Sequence, residues 1–395
     1  MNKKTILIFG VGELQRSIIR HAKLKGLFTI GIDPCADAIC RDECDAFEVV
    51  GGQDFEGTLA VAQKYNVSAI VTAATDKPLV MMARIAAELK LPFFSVETAR
   101  WSTDKFQMKQ RFIQGGVPCA KGRLVSMTED VKGLDFPLIV KPRDNSGSRG
   151  VKLSRSLEEL QGCLNEAFEV SKLDSVLIEE VIEGQEYSIE SLHYNGKTEV
   201  LQFTEKKTTD FPYNVELGHR QPANLMDAQK QAIRDIIGKI AACMKFENCP
   251  SHTELKINER GIFVIETSPR LGGDYITSTL VPLSTGINME DQLLNIAMGE
   301  AVDTMTGRFE KASGVCFFCL PEGVVKHIDP QMNDVASWAG VRHFNLKLHE
   351  GDHVNRITSS LNRYGEIIVE GEDRKTVDTM LEEYERRIKK MIEVR

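Results

Sequence analysis

Glu254 and Glu266 stand twelve residues apart in two β-rich runs, His252 to Asn258 and Ile262 to Thr267, separated by Glu259, Arg260 and Gly261. A three-residue hairpin loop ending on glycine, the residue that best tolerates a left-handed position, pairs Asn258 with Ile262 and sets Glu254 opposite Glu266. Facing carboxylates repel. At roughly 5 Å and an effective dielectric of about 20 the cost is about 3 kcal/mol when both are ionised. A shared proton, the adjacent Lys256 or a divalent cation would relieve it, and Mg²⁺ is typically held by one or two carboxylates together with substrate phosphates. The pair therefore points to a phosphate-handling metal site, with Ser268 two residues on and on the same face.

Cationic and glycine-rich segments supply what such a site needs. Lys141 ends the apolar run Pro137-Leu-Ile-Val-Lys and is followed by Pro142, so a rigid strand end aims its ammonium. The next segment, Asp144-Asn-Ser-Gly-Ser-Arg-Gly150, packs small residues around Ser146, Gly147, Ser148 and Gly150 and exposes N–H donors, as a phosphate cover or a hairpin turn would. It lacks the lysine and hydroxyl of a Walker A loop and leads into a strand, which excludes that motif. Val176-Leu-Ile-Glu179-Glu180-Val181-Ile182 runs into Glu183-Gly-Gln-Glu186, an acidic strand end that is either solvated or suited to an adenine edge and ribose hydroxyls. Arg270 can meet a phosphate or carboxylate bidentately, or form a salt bridge to either glutamate.

Near the N-terminus, Gly10-Val-Gly12-Glu13-Leu-Gln15 follows a strand and opens a helix, so its N–H groups can hold an anion or polar substrate group. Asp33 ends the next strand, where a dinucleotide enzyme binds ribose, but Gln15 replaces the third glycine of that fingerprint. Asp76 ends another strand and either shares this crevice or caps a helix.

These groups require a scaffold of alternating elements. In the first hundred residues, strands at Lys4 to Phe9, Phe28 to Asp33, Ala69 to Thr72 and Pro92 to Phe94 alternate with helices such as Glu13 to Lys25 and Lys77 to Leu89, which predicts a parallel α/β layer. A helix from Trp101 to Gly116 is expected to be capped near Ser102 or Thr103. Beyond Phe136 the strands come as hairpins, Pro137 to Lys141 with Gly150 to Ser154, then a helix Leu157 to Val170 and a strand Ser175 to Val181. Amphipathic helices follow at Asp227 to Met244 and Asn288 to Met298. Strands at Gly314 to Leu320 and Glu366 to Val369 precede a helix whose Val377, Met380, Leu381, Tyr384, Ile388 and Met391 form a core stripe.

The chain has 395 residues, 42% hydrophobic and 27% charged, with a formal charge of −8. That is the composition of a soluble protein of two or three domains, with no basic footprint for nucleic acid, no membrane span and no signal segment, so a cytoplasmic location is expected. Nine scattered cysteines read as reduced thiols; Cys316 and Cys319 lie in an apolar run without a second pair at zinc-site spacing.

Asp104-Lys105, Val140-Lys141-Pro142, the Ser146 to Gly150 loop, Glu179 to Glu186, Glu254, and Glu266-Thr-Ser-Pro-Arg-Leu-Gly272-Gly273 together resemble the ATP-grasp superfamily in order and spacing. The resemblance extends to the branch with biotin carboxylase, glycinamide ribonucleotide synthetases, carbamoyl phosphate synthetase and bacterial L-amino acid ligases. It implies an α/β and α+β chain: a Rossmann-like pre-ATP-grasp domain over residues 1–100, an ATP-grasp domain over 101–311 with a lid at about 136–184, and a small α+β C-terminal domain over 312–395. Lys105 and Lys141 would contact the phosphates of ATP, Glu179 to Ile182 would meet adenine and Glu186 the ribose. Glu254 and Glu266 would hold Mg²⁺, with Mn²⁺ as a substitute, and Arg270 would face the transferred phosphate. Gly12, Glu13, Asp76, His219, Arg270, Gly272 and Gly273 would border the substrate; for His219 a surface position is the other reading. The family usually has asparagine as a third metal ligand where this chain has Ser268, and a hydroxyl ligates Mg²⁺ more weakly.

The implied activity is ligation of a small carboxylic acid, an amino acid first, to an amine through an acyl phosphate. Phosphoribosylamine–glycine ligation or a carbamoyl-phosphate-synthase-like reaction is the neighbouring alternative. A nucleotide-binding regulatory protein and a nicotinamide oxidoreductase built on the Gly10 to Gly12 turn are alternatives of other classes. The partners expected are small-molecule substrates, and dimers are common among the resembling families.

Overall fold

The computed structural model describes residues 3–126, 135–145, 147, 149–211 and 213–395. Chain order begins with β1 (Thr5–Phe9), α1 (Arg16–Leu24), β2 (Phe28–Asp33), β3 (Ala46–Val49), α2 (Phe55–Lys64), β4 (Ala69–Val71) and α3 (Leu79–Leu89). The four strands form a parallel sheet in the order β3-β2-β1-β4, as the alternating pattern predicts. Pro92 to Phe94 does not become a strand. Phe94 is anchored by packing, with its ring 4.1 Å from that of Phe93, rather than by a ladder.

Two short helices then turn the chain toward the site, α4 (Val96–Thr103) and α5 (Lys105–Gln114). The expected single helix is divided because Asp104 takes an extended conformation and caps α5, its carboxylate accepting from the N–H groups of Phe106 and Gln107. Ser95, not Ser102 or Thr103, caps α4.

A four-stranded layer carries β5 (Gly122–Ser126), β6 (Leu138–Pro142), β7 (Lys152–Ser154), α6 (Leu157–Val170) and β8 (Ser175–Glu180), with the sheet order β5-β8-β6-β7. Leu160 and Leu164 of α6 pack on Val125, Val140, Val176 and Ile178, giving this layer its own small core. β5 joins the ladder with β8 along all of Gly122 to Ser126.

The remaining strands are β9 (Gln185–Tyr194), β10 (Lys197–Thr208), β11 (Glu216–Gln221), β12 (Cys249–Asn258), β13 (Gly261–Ser268), β14 (Ala312–Phe317), β15 (Gly323–Ile328), β16 (Val341–Leu346), β17 (His353–Val354), β18 (Gly365–Gly371) and β19 (Ile392–Val394). Helices α7 (Asp227–Met244), α8 (Val281–Thr285), α9 (Met289–Ala297) and α10 (Arg374–Lys390) pack among them. Eight of these strands form one sheet, β13-β12-β9-β10-β11-β14-β18-β16. The strands on either side of residue 312 thus share one ladder through β11 and β14. Val377, Leu381, Tyr384 and Ile388 of α10 are buried on β14 and β18, and Met380 and Met391 pack at the edge.

Strand alternation gives the central sheet two different faces. Tyr187, Ile189 and Leu255 point into a core with Ile233, Ile237 and Ile240 of α7 and Met108 and Phe112 of α5. The intervening Glu186, Ser188 and Glu190 on β9 pair across with Lys256, Glu254 and His252 on β12, so the other face is a buried polar floor.

Asp104 also receives Arg143 through Nε at 3.2 Å and a terminal nitrogen at 2.6 Å, which ties α5 to the end of β6. Asp104→Ala removes the cap and leaves a mostly buried guanidinium unpaired, so urea unfolding should show a loss of about 2 kcal/mol. Asp104→Asn, which keeps an acceptor oxygen, should lose about half of that. A loss for the alanine variant within experimental error would disprove this anchoring role.

Candidate active site

Glu254 on β12 and Glu266 on β13 are cross-strand partners. They meet by a different route from the expected one. Asn258 pairs with Gly261, so the loop is only Glu259 and Arg260, and Ile265 is an extra residue on β13. That bulge restores the residue that the shorter loop removes. Gly261 at φ 128° supplies the turn conformation, and Glu254 still faces Glu266.

Three basic side chains offset this pair. Lys206 of β10, only 2% exposed, reaches Glu254 at 2.9 Å and also Glu186 at 2.7 Å and Glu216 at 3.4 Å. Lys105 is bonded to Glu266. It is the first residue of α5, where a cation adds to the positive end of the helix dipole, so its placement favours anions close by. His252 contacts Glu254 Oε1 at 3.3 Å. Burial alone would raise the Glu254 carboxyl, but Lys206 and His252 hold it well below the usual carboxylate range. Lys256 is not the compensator: it faces Glu186 at 3.7 Å.

Arg270 pairs with neither glutamate. Its Nε and a terminal nitrogen donate to Asp76 at 3.0 and 3.2 Å, and Ser268 Oγ donates to the same carboxylate at 2.5 Å. The Asp76 side chain is therefore held by Arg270 and Ser268 rather than capping a helix. Its burial would raise the carboxyl, yet Arg270, Ser268 and Lys105 lower it on balance.

The glycine turn after β1 uses its donors internally. Gly10 N–H donates to Ile32 O, Val11 N–H to Asp33 Oδ2 and Gly12 N–H to Gln15 Oε1. Asp33 is thus a turn brace, and these three N–H groups are committed within the fold rather than to an anion. Glu13 is exposed and ion-paired to Arg16 at 2.5 Å.

Lys141 of β6 and Lys109 of α5 both hold the buried Glu179 of β8, the latter at 2.6 Å. Burial disfavours ionisation of Glu179, but the two lysines lower its carboxyl. Glu180 accepts from Lys121 N at 2.9 Å. Gly147 and Gly150 lie in the β6–β7 turn at φ 65° and 75°; Ser146 and Ser148 lie outside the described residues. Val181, Ile182 and Glu186 line a cavity of about 1020 Å³ that also takes in Lys206, Phe211 and Lys256. Glu254, Glu266, Lys105 and Arg270 are not among its walls.

Among the described residues no cluster of three or more His, Cys, Asp or Glu side chains is arranged around a metal position. Two carboxylates with three cations around them suit a metal ion that brings phosphate oxygens as its remaining ligands. The residues fit Mg²⁺ with ATP on that basis.

A second cluster escaped the sequence reading. Asp274 and Tyr275, directly after Gly272-Gly273, both take left-handed conformations, at φ 51° and 65°. Asp274 receives Arg363 at 2.6 and 2.8 Å, and His219, 1% exposed, stands 3.6 Å from it. His219 is therefore not a surface residue. Tyr275 Oη donates to Glu366 at 2.9 Å, which His343 and Asn345 also contact. Consecutive non-glycine residues in the left-handed region mark a constrained loop that only coordinates reveal.

Residues 134–278 match the ATP-grasp domain family, and residues 316–393 match L-amino acid ligase C-terminal domain 2. The chain thus carries an ATP-grasp domain followed by a domain of the kind found at the C-terminus of L-amino acid ligases. It is 24% identical over 320 residues to an uncharacterized protein, y4rH, of Sinorhizobium fredii, a match covering 79% of this chain and 66% of that protein. It is 25% identical over 304 residues to an L-arginine-specific L-amino acid ligase of Bacillus subtilis, covering 73% and 72%. The solved L-amino acid ligase of Bacillus licheniformis shares the fold at a TM-score of 0.85 and 19% identity, over 100% of this chain and 99% of that one. No helix among the described residues is long and apolar enough to cross a membrane.

Burial opposes ionisation of Asp274, yet the paired hydrogen bonds and charge of Arg363, with His219 close by, hold its carboxyl far below the ordinary value. A depressed carboxyl adds stability above its unfolded pKa of about 3.9, and that stability is lost as pH falls through the folded value. Arg363→Met should therefore destabilise the protein by about 3 kcal/mol. In urea unfolding the gap from wild type should be widest near neutral pH and should narrow as pH falls, because the buried Asp274 left without Arg363 takes up a proton more readily than in the unfolded chain. A gap that does not narrow at any pH between 7 and 3 would refute the assignment.

Proposed function

We propose that the chain is an ATP- and Mg²⁺-dependent carboxylate–amine ligase acting through an acyl phosphate on an amino acid or similar small carboxylic acid. The observation that carries this reading is the Glu254–Glu266 pair bounded by Lys105, Lys206 and Arg270. In it Glu254 and Glu266 hold the divalent cation, assisted by the Ser268 hydroxyl. Lys105 and Lys141 meet phosphate oxygens, exchanging their present carboxylate partners for them. Val181 and Ile182 offer backbone to adenine, with Glu186 placed for ribose. Ser146 to Gly150 close over the phosphates.

The chemistry needs no covalent protein nucleophile. A substrate carboxylate oxygen bonds to the terminal phosphorus as the bond to ADP breaks. The amine then attacks the acyl carbon, phosphate leaves and the ammonium proton is lost. Arg270 and the lysines neutralise the charge shared among these oxygens, the dominant contribution in phosphoryl transfer. Closure of the lid excludes water from the acyl phosphate. The Asp274, Arg363 and His219 cluster borders the same loop as Arg270 and is the proposed wall of the substrate pocket.

The test is ADP and phosphate release against pooled amino acids and metabolites, with the product weighed by mass spectrometry. Turnover should need Mg²⁺ or Mn²⁺ and both substrates, with little ATPase otherwise, and Glu266→Ala should lower it by about 100-fold or more. A substrate-independent ATPase as fast as ligation, or full activity in Glu266→Ala, would overturn the reading. Nucleotide binding without turnover on any substrate pair would instead identify a regulatory protein.

A further inference from the structure

His252 and Glu190 are direct cross-strand partners on β12 and β9, on the buried polar face that carries Glu254. His252 Nδ1 lies 2.7 Å from Glu190 Oε1, and its Nε2 lies 3.3 Å from Glu254 Oε1. Lys206 Nζ reaches that same Glu254 oxygen at 2.9 Å. Among the described residues, the hydrogen bonds to Glu254 all fall on Oε1. Two donors on one oxygen define the rotation of a carboxylate and direct its other oxygen elsewhere.

The pair also supports the loop above it. Glu190 is fully buried, and its Oε2 has no hydrogen-bond partner among the described residues. A methyl group on Gly272 would come within 2.8 Å of His252 Nδ1 and 2.9 Å of Glu190 Oε2. The loop from Arg270 to Gly273 therefore rests on the Glu190–His252 pair without space between, and only a residue lacking Cβ permits that approach.

We propose that Glu190 and His252 are positioning residues that fix the Glu254 carboxylate for the divalent cation and seat the Arg270 to Gly273 loop in register with it. One buried pair thus sets both the metal-facing oxygen and the backbone that carries the phosphate-facing arginine. The proposal rests on the reading of Glu254 as a metal ligand. Hydrogen-bonded partners of a ligand typically change metal affinity by about 10–100-fold when removed. A pair that merely stabilised the sheet would change unfolding and leave metal affinity alone.

The experiment is a Mn²⁺ titration followed by electron paramagnetic resonance, with ADP present, on wild type, His252→Gln and Glu190→Gln. Wild type should bind Mn²⁺ tightly only with ADP. His252→Gln should weaken Mn²⁺ binding by about 10–100-fold while metal-free ADP binding stays within about twofold, and steady-state assays should show a raised KM for Mg²⁺ with a smaller change in kcat. Glu190→Gln keeps an acceptor for Nδ1 but loses the charge, so it should weaken Mn²⁺ binding by a smaller factor, about threefold to tenfold. Absence of ADP-dependent Mn²⁺ binding in wild type would defeat the metal-site reading itself. Wild-type Mn²⁺ affinity in folded His252→Gln would defeat the positioning role alone. If His252→Gln does not fold, unchanged affinity in Glu190→Gln has the same consequence.

Discussion

Two carboxylates held opposite each other on adjacent strands constrain everything around them. Facing carboxylates such as Glu254 and Glu266 repel each other unless cations stand close by, and the chain brings those cations from separate elements. Lys206 comes from β10, Lys105 from the first turn of α5, and His252 from β12 itself. Burying an ion costs several kcal/mol unless its partner is well placed, so each of these contacts depends on the relative position of two elements. The electrostatic demand of one hairpin thereby fixes where α5 meets the sheet and which face of β10 is polar.

The same contacts explain how a strongly charged site can be stable and still accept a charged ligand. Lys105 on Glu266, Lys141 on Glu179 and Arg270 on Asp76 are cations already balanced by protein carboxylates. In the proposed complex, a ligand that brings both phosphates and a divalent cation can replace both sides of the Lys105–Glu266 pair, the metal taking the carboxylate and a phosphate the ammonium. Glu179 keeps Lys109 if Lys141 turns to a phosphate, and Asp76 keeps Ser268, so binding lowers the desolvation penalty that would follow from inserting either ion alone.

Much of this was legible in the sequence because it rests on local signals. Alternation and turn residues located β1, β2, β4, β6, β8, β12 and β13 but not β9, β10 or β11, and α6 and α7 were read with their observed bounds from their amphipathic period. The Glu254–Glu266 pairing was also legible, although through the wrong loop: a two-residue turn and a bulge cancel, and neither leaves a mark in composition. What could not be read is what depends on strand order. Lys206 and His252 are unremarkable in sequence, and become partners of Glu254 only because β9, β10 and β12 are neighbours in one sheet. The same holds for Arg363, which reaches Asp274 across 89 positions. The glycine turn after β1 failed in the opposite direction: its pattern suggested an anion site, but Gln15 and Asp33 consume its donors.

Ser268 is where local and distant constraints meet. The resembling families place asparagine there, whose amide presents an oxygen to a metal and an N–H group to a neighbour. Ser268 retains both polarities in a shorter side chain: its hydroxyl proton goes to Asp76 and its oxygen keeps lone pairs for a cation. Because Asp76 is also gripped by Arg270, donation from Ser268 links the proposed metal position to the arginine proposed to face the phosphate. A serine in this setting therefore gives up reach rather than chemistry. With a ligand of shorter reach, the orientation of Glu254 carries more of the task of defining the cation's position, and that orientation is what the buried Glu190–His252 pair controls.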